Sequence, residues 1–347
     1  MLLSGEMTPV DGTYDEALER FHETGPEFGG WLSNHGPMVV EALSRRHRDP
    51  VIHRWTDRYL QRLDDLPRGV YPISPEDWRE PLGDATRTGD WVVFFEQAVA
   101  ETPWQTVLAQ WWPRLLPGIA AGATHGVIRV GHAVRALQAA ETAPRVAELA
   151  QALAYWAARW QPVPVVRTEG SLGIAEVLPT IPRIPRQESG IRTRLAQLEQ
   201  TAGWLDRAGA LGGPADSEEV PHHLDAVVDA VVRHYVTRAH GNPTMLVHAA
   251  TAPNAVSMTL PSLPPALWRD SFDAAWSASA AVLAAYTPAD PRPRPTTGLT
   301  ASETLDRAVE HGGEHVIKFT DTALRTYERS HEPDALTAAM VAIELEA

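Results

Sequence analysis

Apolar residues recur three and four positions apart along most of this chain, the spacing that lines one face of an α-helix. Residues 13–22 (TYDEALERFH) and 37–47 (PMVVEALSRRH) read as short amphipathic helices, Pro37 being tolerated in a first turn. The segment 51–64 (VIHRWTDRYLQRLD) repeats the pattern. From Asp90, WVVFFEQAVA and then WQTVLAQWWPRLL predict two further helices, the second stopped by Pro117-Gly118. Residues 143–160 form the cleanest amphipathic stretch and 222–239 a second long one ending near Gly241. Residues 265–286 and 301–330 supply two more, the last opened by a capping box from Thr300 and Glu303.

Between these segments lie proline-rich connectors at 161–187 and 288–297. Neither is long enough to separate the chain into independent bodies, and candidate chemistry falls on both sides of each. Short strand signals occur only at 165–168 (VVRT) and 244–249 (TMLVHA). The expected architecture is therefore all-α: a single-domain helical bundle over 1–347 with proline-rich connectors.

Composition narrows the function. Hydrophobic residues make up 44% and charged residues 21%, as in a globular chain that can bury a core. A formal charge of −14 without a basic stripe argues against a nucleic-acid partner. No apolar run nears the roughly 18–20 residues that span a bilayer, so no membrane partner is expected. The acidic opening MLLSGEMTPVDGTYDEALERF lacks the layout of a secretory leader, which predicts a cytoplasmic location. The sequence does not speak to oligomeric state.

Cysteine is absent, so a metal would be held by nitrogen and oxygen alone. Of 30 basic residues one is lysine, Lys318. A base composition favouring arginine codons accounts for the bias but not for the survivor. Unlike arginine, a buried lysine can shed its proton and serve as nucleophile, base or carbamate.

The densest polar pattern is Thr124-His125-Gly126-Val127-Ile128-Arg129-Val130-Gly131-His132-Ala133-Val134-Arg135. On one continuous helix His125 and His132 lie about 20° apart and roughly 10.5 Å apart along the axis, so both can lean toward one ion. Each could equally be a core imidazole bonded to a carbonyl. The surrounding Gly and Ala residues let another helix approach closely. His35 precedes a helix start that Ser33 or Asn34 can cap, and His248 sits in an apolar run; a turn residue and a core residue are the plain alternatives. His311, His315 and Lys318 fall within about 60° on a helical wheel, flanked by Val316 and Ile317. His222 and His223, and His47 and His53 among arginines, read as surface. Trp31 and Trp156 are candidates to wall a pocket for a flat aromatic ligand. No Gly-rich strand-to-helix loop, P-loop or GxSxG motif is present.

The run His35-Gly36-Pro37-Met38, the segment Leu116-Pro117-Gly118 leading into the HG-x-I-R-x-GHAVR block, Glu148-Leu149-Ala150 with Tyr155-Trp156-Ala157-Ala158-Arg159, and the closing Glu314-His315-Val316-Ile317-Lys318 resemble the questin oxidase-like family. The likeness runs from about residue 13 to 330, and the HG-x-I-R-x-GHAVR block is its specific part. It implies an oxygenase of secondary metabolism that acts on an aromatic polyketide of the anthraquinone type with dioxygen, opening a ring by Baeyer–Villiger-like oxygen insertion. It also implies non-haem iron(II) held by several histidines and a lysine carboxylated by carbon dioxide. By position, His35, His125, His132 and His248 would be ligands and Lys318 the carbamate. His315 would be a competing ligand or the partner that orients the carbamate, making Lys318 and His315 the residues expected to carry the chemistry. Arg129 and Arg135 would serve structure or bind an oxyanion. Three other readings stand beside this one: a flavin- or NADPH-dependent monooxygenase, NADPH then acting as external reductant; a non-catalytic helical binding protein; and Lys318 as a Schiff-base nucleophile.

Overall fold

The computed structural model describes residues 12–346, so residues 1–11 of the acidic opening, whose layout predicts no secretory leader, lie outside the described residues. The chain begins with α1 (Gly12–His22), a small antiparallel hairpin pairing Glu27–Phe28 with Leu32–Ser33, then α2 (Gly36–Arg45) and α3 (Asp49–Leu60). Next come α4 (Thr88–Glu101), α5 (Trp104–Leu115), α6 (His125–Ala139) and α7 (Ala143–Ala158). Three short helices, α8 (Ile174–Val177), α9 (Ile191–Leu195) and α10 (Trp204–Gly209), punctuate the stretch that leads to α11 (Val220–Arg238). The chain closes with α12 (Pro243–Leu246), α13 (His248–Thr259), α14 (Trp268–Tyr286), α15 (Ala301–His311), α16 (Glu314–Ser330) and α17 (Pro333–Leu345). The fold is predominantly all-α, as the periodicity predicts.

Local chemistry sets several of these boundaries. Thr300 accepts from the Glu303 N–H at 3.3 Å while Glu303 returns a bond to the Thr300 N–H at 2.8 Å, completing the expected capping box. Asn242 caps α12 by accepting from the Met245 N–H at 2.9 Å. That cap overrides the strand signal at 244–249, which is helical. The other strand candidate, 165–168, forms no strand; its Val166 N–H bonds the Ser277 hydroxyl at 2.8 Å instead of a neighbouring backbone. The stretch expected as one helix over 301–330 is two. Gly312 adopts φ +75° at the C-cap of α15, a conformation that ends a helix readily only with glycine.

One continuous apolar core runs through the packing of α4 to α7 and α11 to α14. Its centre is α6, which packs on α7, α13 and α2. A second apolar cluster joins α1, α2 and α3 with Ile317 of α16. Small residues on α6 permit this closeness. A Cβ on Gly131 would lie 2.7 Å from the Ala255 Cβ and 2.8 Å from its backbone on α13, and one on Gly126 would lie 2.9 Å from Trp156. Among the described residues no helix is long and apolar enough to cross a membrane.

A candidate metal centre at four helix starts

Four imidazoles meet where four helices begin. His35 stands immediately before α2, His125 opens α6, His248 opens α13, and His315 is the second residue of α16. Each start is shaped locally. Asn34 Oδ1 accepts from the Gly36 N–H at 2.8 Å, which turns the chain so that His35 faces inward. Ahead of His125, Gly122, Ala123 and Thr124 all have positive φ (52°, 60° and 70°). For the two with side chains this costs on the order of 1–2 kcal/mol each, strain of a kind that collects at functional sites. The Gly312-Gly313 break aims the start of α16 at the same point.

The rings face one another closely. His125 Nε2 lies 2.8 Å from His35 Nε2 and 3.1 Å from His248 Nε2. The His315 ring centroid lies 4.7 Å from that of His35 and 5.3 Å from that of His248. One ring nitrogen each of His35, His125 and His315 falls within 4.8 Å of the other two, close enough to share a metal ion. His35, His125 and His248 are buried; His315 is partly exposed, but its Nε2 is buried and, among the described residues, without a hydrogen-bond partner.

Proton placement sharpens the picture. His125 Nδ1 bonds the Gly122 carbonyl, and His248 Nδ1 bonds the Met245 carbonyl at 3.2 Å. A carbonyl only accepts, so in both rings Nδ1 carries the proton and Nε2 is a bare lone pair. Two bare nitrogens 3.1 Å apart repel unless a cation or proton sits with them. Protonation is opposed, since all four imidazoles are pushed below their ordinary pKa, first by burial and next by the charge of Lys318; His248 falls to about 3. The donor set thus suits a metal ion taken up by neutral imidazoles.

Lys318, one turn beyond His315, is 2% exposed. Burial lowers its pKa to about 7, against a smaller upward pull from Glu314 and Glu346. The polar surroundings supply orientation. The Tyr59 hydroxyl accepts from the His35 backbone N–H at 2.8 Å and lies 3.2 Å from its Nδ1; burial pushes that phenol well above its usual range. Glu314 Oε1 is 3.9 Å from His35 Nδ1 and 3.2 Å from Arg62 Nη2. The Arg62 guanidinium covers the Phe28 and Tyr59 rings at 4.5 and 5.0 Å. Exposure falls from the Arg62 side chain (46%) to Glu314 (16%) to His35 (4%), which marks the solvent side of the cluster.

His132 is not brought to this point. Its Nδ1 lies 2.6 Å from Glu41 Oε2, and among the described residues it makes no ring contact with the other four imidazoles. The spacing of seven permits a shared ion, but Glu41, arriving from α2, bonds the second ring and holds it two turns away. His311 also differs from expectation: it ends α15, across the Gly312 break, and its Nδ1 accepts from the Gly313 N–H at 3.1 Å. Arg129 pairs with buried Glu148, and Arg135 with Glu41 and Asp321. Trp31 is 66% exposed, whereas Trp156 is core, its indole N–H donating to the Gly118 carbonyl at 3.0 Å. Sequence reasoning missed Glu41 and Asp321. Their only local signal is that each is the one acid in a stretch of otherwise uncharged residues, VVEAL and FTDTAL.

No curated protein matches the chain. A family model does, over residues 51–172, a segment that holds Tyr59, His125, Arg129, His132 and Arg135 but none of His35, His248, His315 or Lys318. That model is described as Questin oxidase-like, and it supports for this chain the family that the motifs resemble.

Proposed function

We propose that the chain is a non-haem iron-dependent oxygenase that opens a ring of a polycyclic aromatic substrate of the anthraquinone type. The family name supports an oxygenase-type oxidoreductase acting on anthraquinone-like compounds. The observation that carries the metal is the facing pair of bare Nε2 atoms of His125 and His248, with His35 and the orphaned His315 Nε2 beside them. His35, His125, His248 and His315 would hold the ion, with Lys318 supplying an oxygen ligand as its carbamate. Nitrogen and oxygen donors without sulfur suit iron(II), zinc or manganese; oxygenase chemistry selects iron. Bound there, iron(II) would supply the means to react dioxygen with an electron-rich ring.

The chain's own residues prepare that chemistry. The uncharged Lys318 amine can attack carbon dioxide: a C–N bond forms, one C–O π pair moves onto oxygen, and a proton leaves to solvent. Arginine has no such reaction. The carbamate anion would be favoured beside four helix N-termini, whose dipoles attract negative charge. Gly122 and Met245 carbonyls fix which nitrogen of His125 and His248 faces inward. Burial keeps bulk water from the reacting atoms.

Metal analysis of protein purified without chelators tests the proposal. About one iron per chain is expected, with turnover of an anthraquinone-type substrate lost on chelation and restored by iron(II). Absence of stoichiometric iron, or full turnover after chelation, sinks it.

A further inference from the structure

Below the imidazoles lies a second polar layer that the reaction does not use. Glu41, six residues beyond His35 on α2, accepts from Arg135 Nε at 2.8 Å and again from its Nη2. His132 Nδ1 meets the same carboxylate at 2.6 Å. The other side of Arg135 reaches α16, its Nη1 2.8 Å from Asp321 Oδ2, and Arg46 holds Asp321 Oδ1 at 2.7 Å. The fourth helix is tied in as well. Asn254, six residues beyond His248 on α13, accepts from Arg325 Nη1 at 2.8 Å and donates to the Thr322 hydroxyl at 3.2 Å. That hydroxyl in turn donates to the Lys318 carbonyl at 3.2 Å. At 1.5 Å of rise per residue, the layer sits about 9–15 Å along each helix from its ligand-bearing start.

We propose that this layer, with Glu41 and Arg135 at its centre, is a positioning device that sets the relative register of the four helices and so the spacing of the imidazoles. The inference rests on the proposed metal centre and gives His132 its role, as a third contact on Glu41 rather than a ligand. Glu41, His132, Arg135, Asn254 and Asp321 are all buried. A buried ion network is a poor source of net stability, because apolar residues of equal volume often do as well. What it supplies is direction: the planar fork of Arg135 fits Glu41 in one orientation only, so α2 and α6 cannot slide past each other without breaking both bonds. Metal–ligand distances tolerate errors of only about 0.2 Å, so a slip between two such helices reaches the site directly.

Glu41→Gln tests it against Asp273→Asn. Asp273 is equally buried but lies in the N-terminal half of α14, where it binds Thr168 and Arg167. Two readings are taken on each full-length variant: the iron(II) dissociation constant, and the imidazole 15N spectrum of metal-free, histidine-labelled protein. Glu41→Gln is expected to weaken iron(II) binding roughly 10- to 100-fold and to shift the His35, His125 and His248 resonances, while Asp273→Asn leaves both as in the parent. Equal iron affinity in the two variants with unmoved imidazole resonances overturns the inference. Should the parent protein bind no iron, the metal centre fails, and the metal-free spectra still decide whether Glu41 positions the rings. If Glu41→Gln does not fold, Arg135→Lys, which keeps the charge and loses the fork, is read the same way.

Discussion

At the scale of single residues, His132 and His315, both of them candidate ligands, are held in different places. His132, seven residues from His125, is claimed by Glu41, whereas His315 lies beside His35 and His125, its ring also against His248, with a buried nitrogen that has no hydrogen-bond partner among the described residues. The difference is measurable. His315→Asn should lower bound iron well below one equivalent even at saturating iron(II). His132→Asn should still reach one equivalent, at weaker affinity, and should cost about 1–3 kcal/mol of stability by removing a partner from a buried carboxylate. Elemental analysis with denaturant melts reads both; equal iron loss in the two variants would put His132 back among the ligands. Sequence periodicity could bring His125 and His132 onto one helix face, which they share. It could not see a carboxylate ninety-one positions upstream of His132, because ion-pair partners across helices leave no local pattern.

Helices extend the same lesson. The amphipathic stretches at 143–160 and 222–239 are legible to within two residues, as α7 and α11, because apolar residues recur there at helical spacing with no glycine inside and proline only in the first turn. The break inside 301–330 was written in Gly312-Gly313, yet the periodicity on both sides hid it. Glycine also decides how α6 meets α13, the helices that carry His125 and His248. With Ala255 backbone 2.8 Å from where a Cβ would stand, Gly131→Ala forces the two helices apart. Overpacking of this kind costs typically about 1–3 kcal/mol. Urea unfolding should report a loss in that range, accompanied by reduced iron occupancy. Gly12→Ala, where a Cβ meets nothing among the described residues, should do neither. A Gly131→Ala variant with parental stability and full iron would mean that α6 and α13 yield more easily than their contact implies.

For the molecule as a whole, the burial of one lysine makes stability depend on pH in a direction opposite to that of a surface lysine with an acidic partner. Lys318 has its pKa lowered from 10.5 to about 7, chiefly by burial. Between those values the unfolded chain holds a proton that the folded chain has released. The unfolded state therefore binds more protons, and stability rises with pH across this window at up to about 1.4 kcal/mol per unit. Below about pH 7 both states are protonated, and the full cost of the buried ammonium is felt. Metal-free protein in carbonate-free buffer should thus gain stability from about pH 7 to about pH 10 in denaturant melts, while Lys318→Met, which buries no charge, should follow a flatter curve. The gap between the two should be widest at neutral pH and close as the pH rises. Parallel curves would mean that the Lys318 ammonium finds compensation in the folded state that its surroundings do not reveal, and an uncharged amine at neutral pH would no longer follow from its burial.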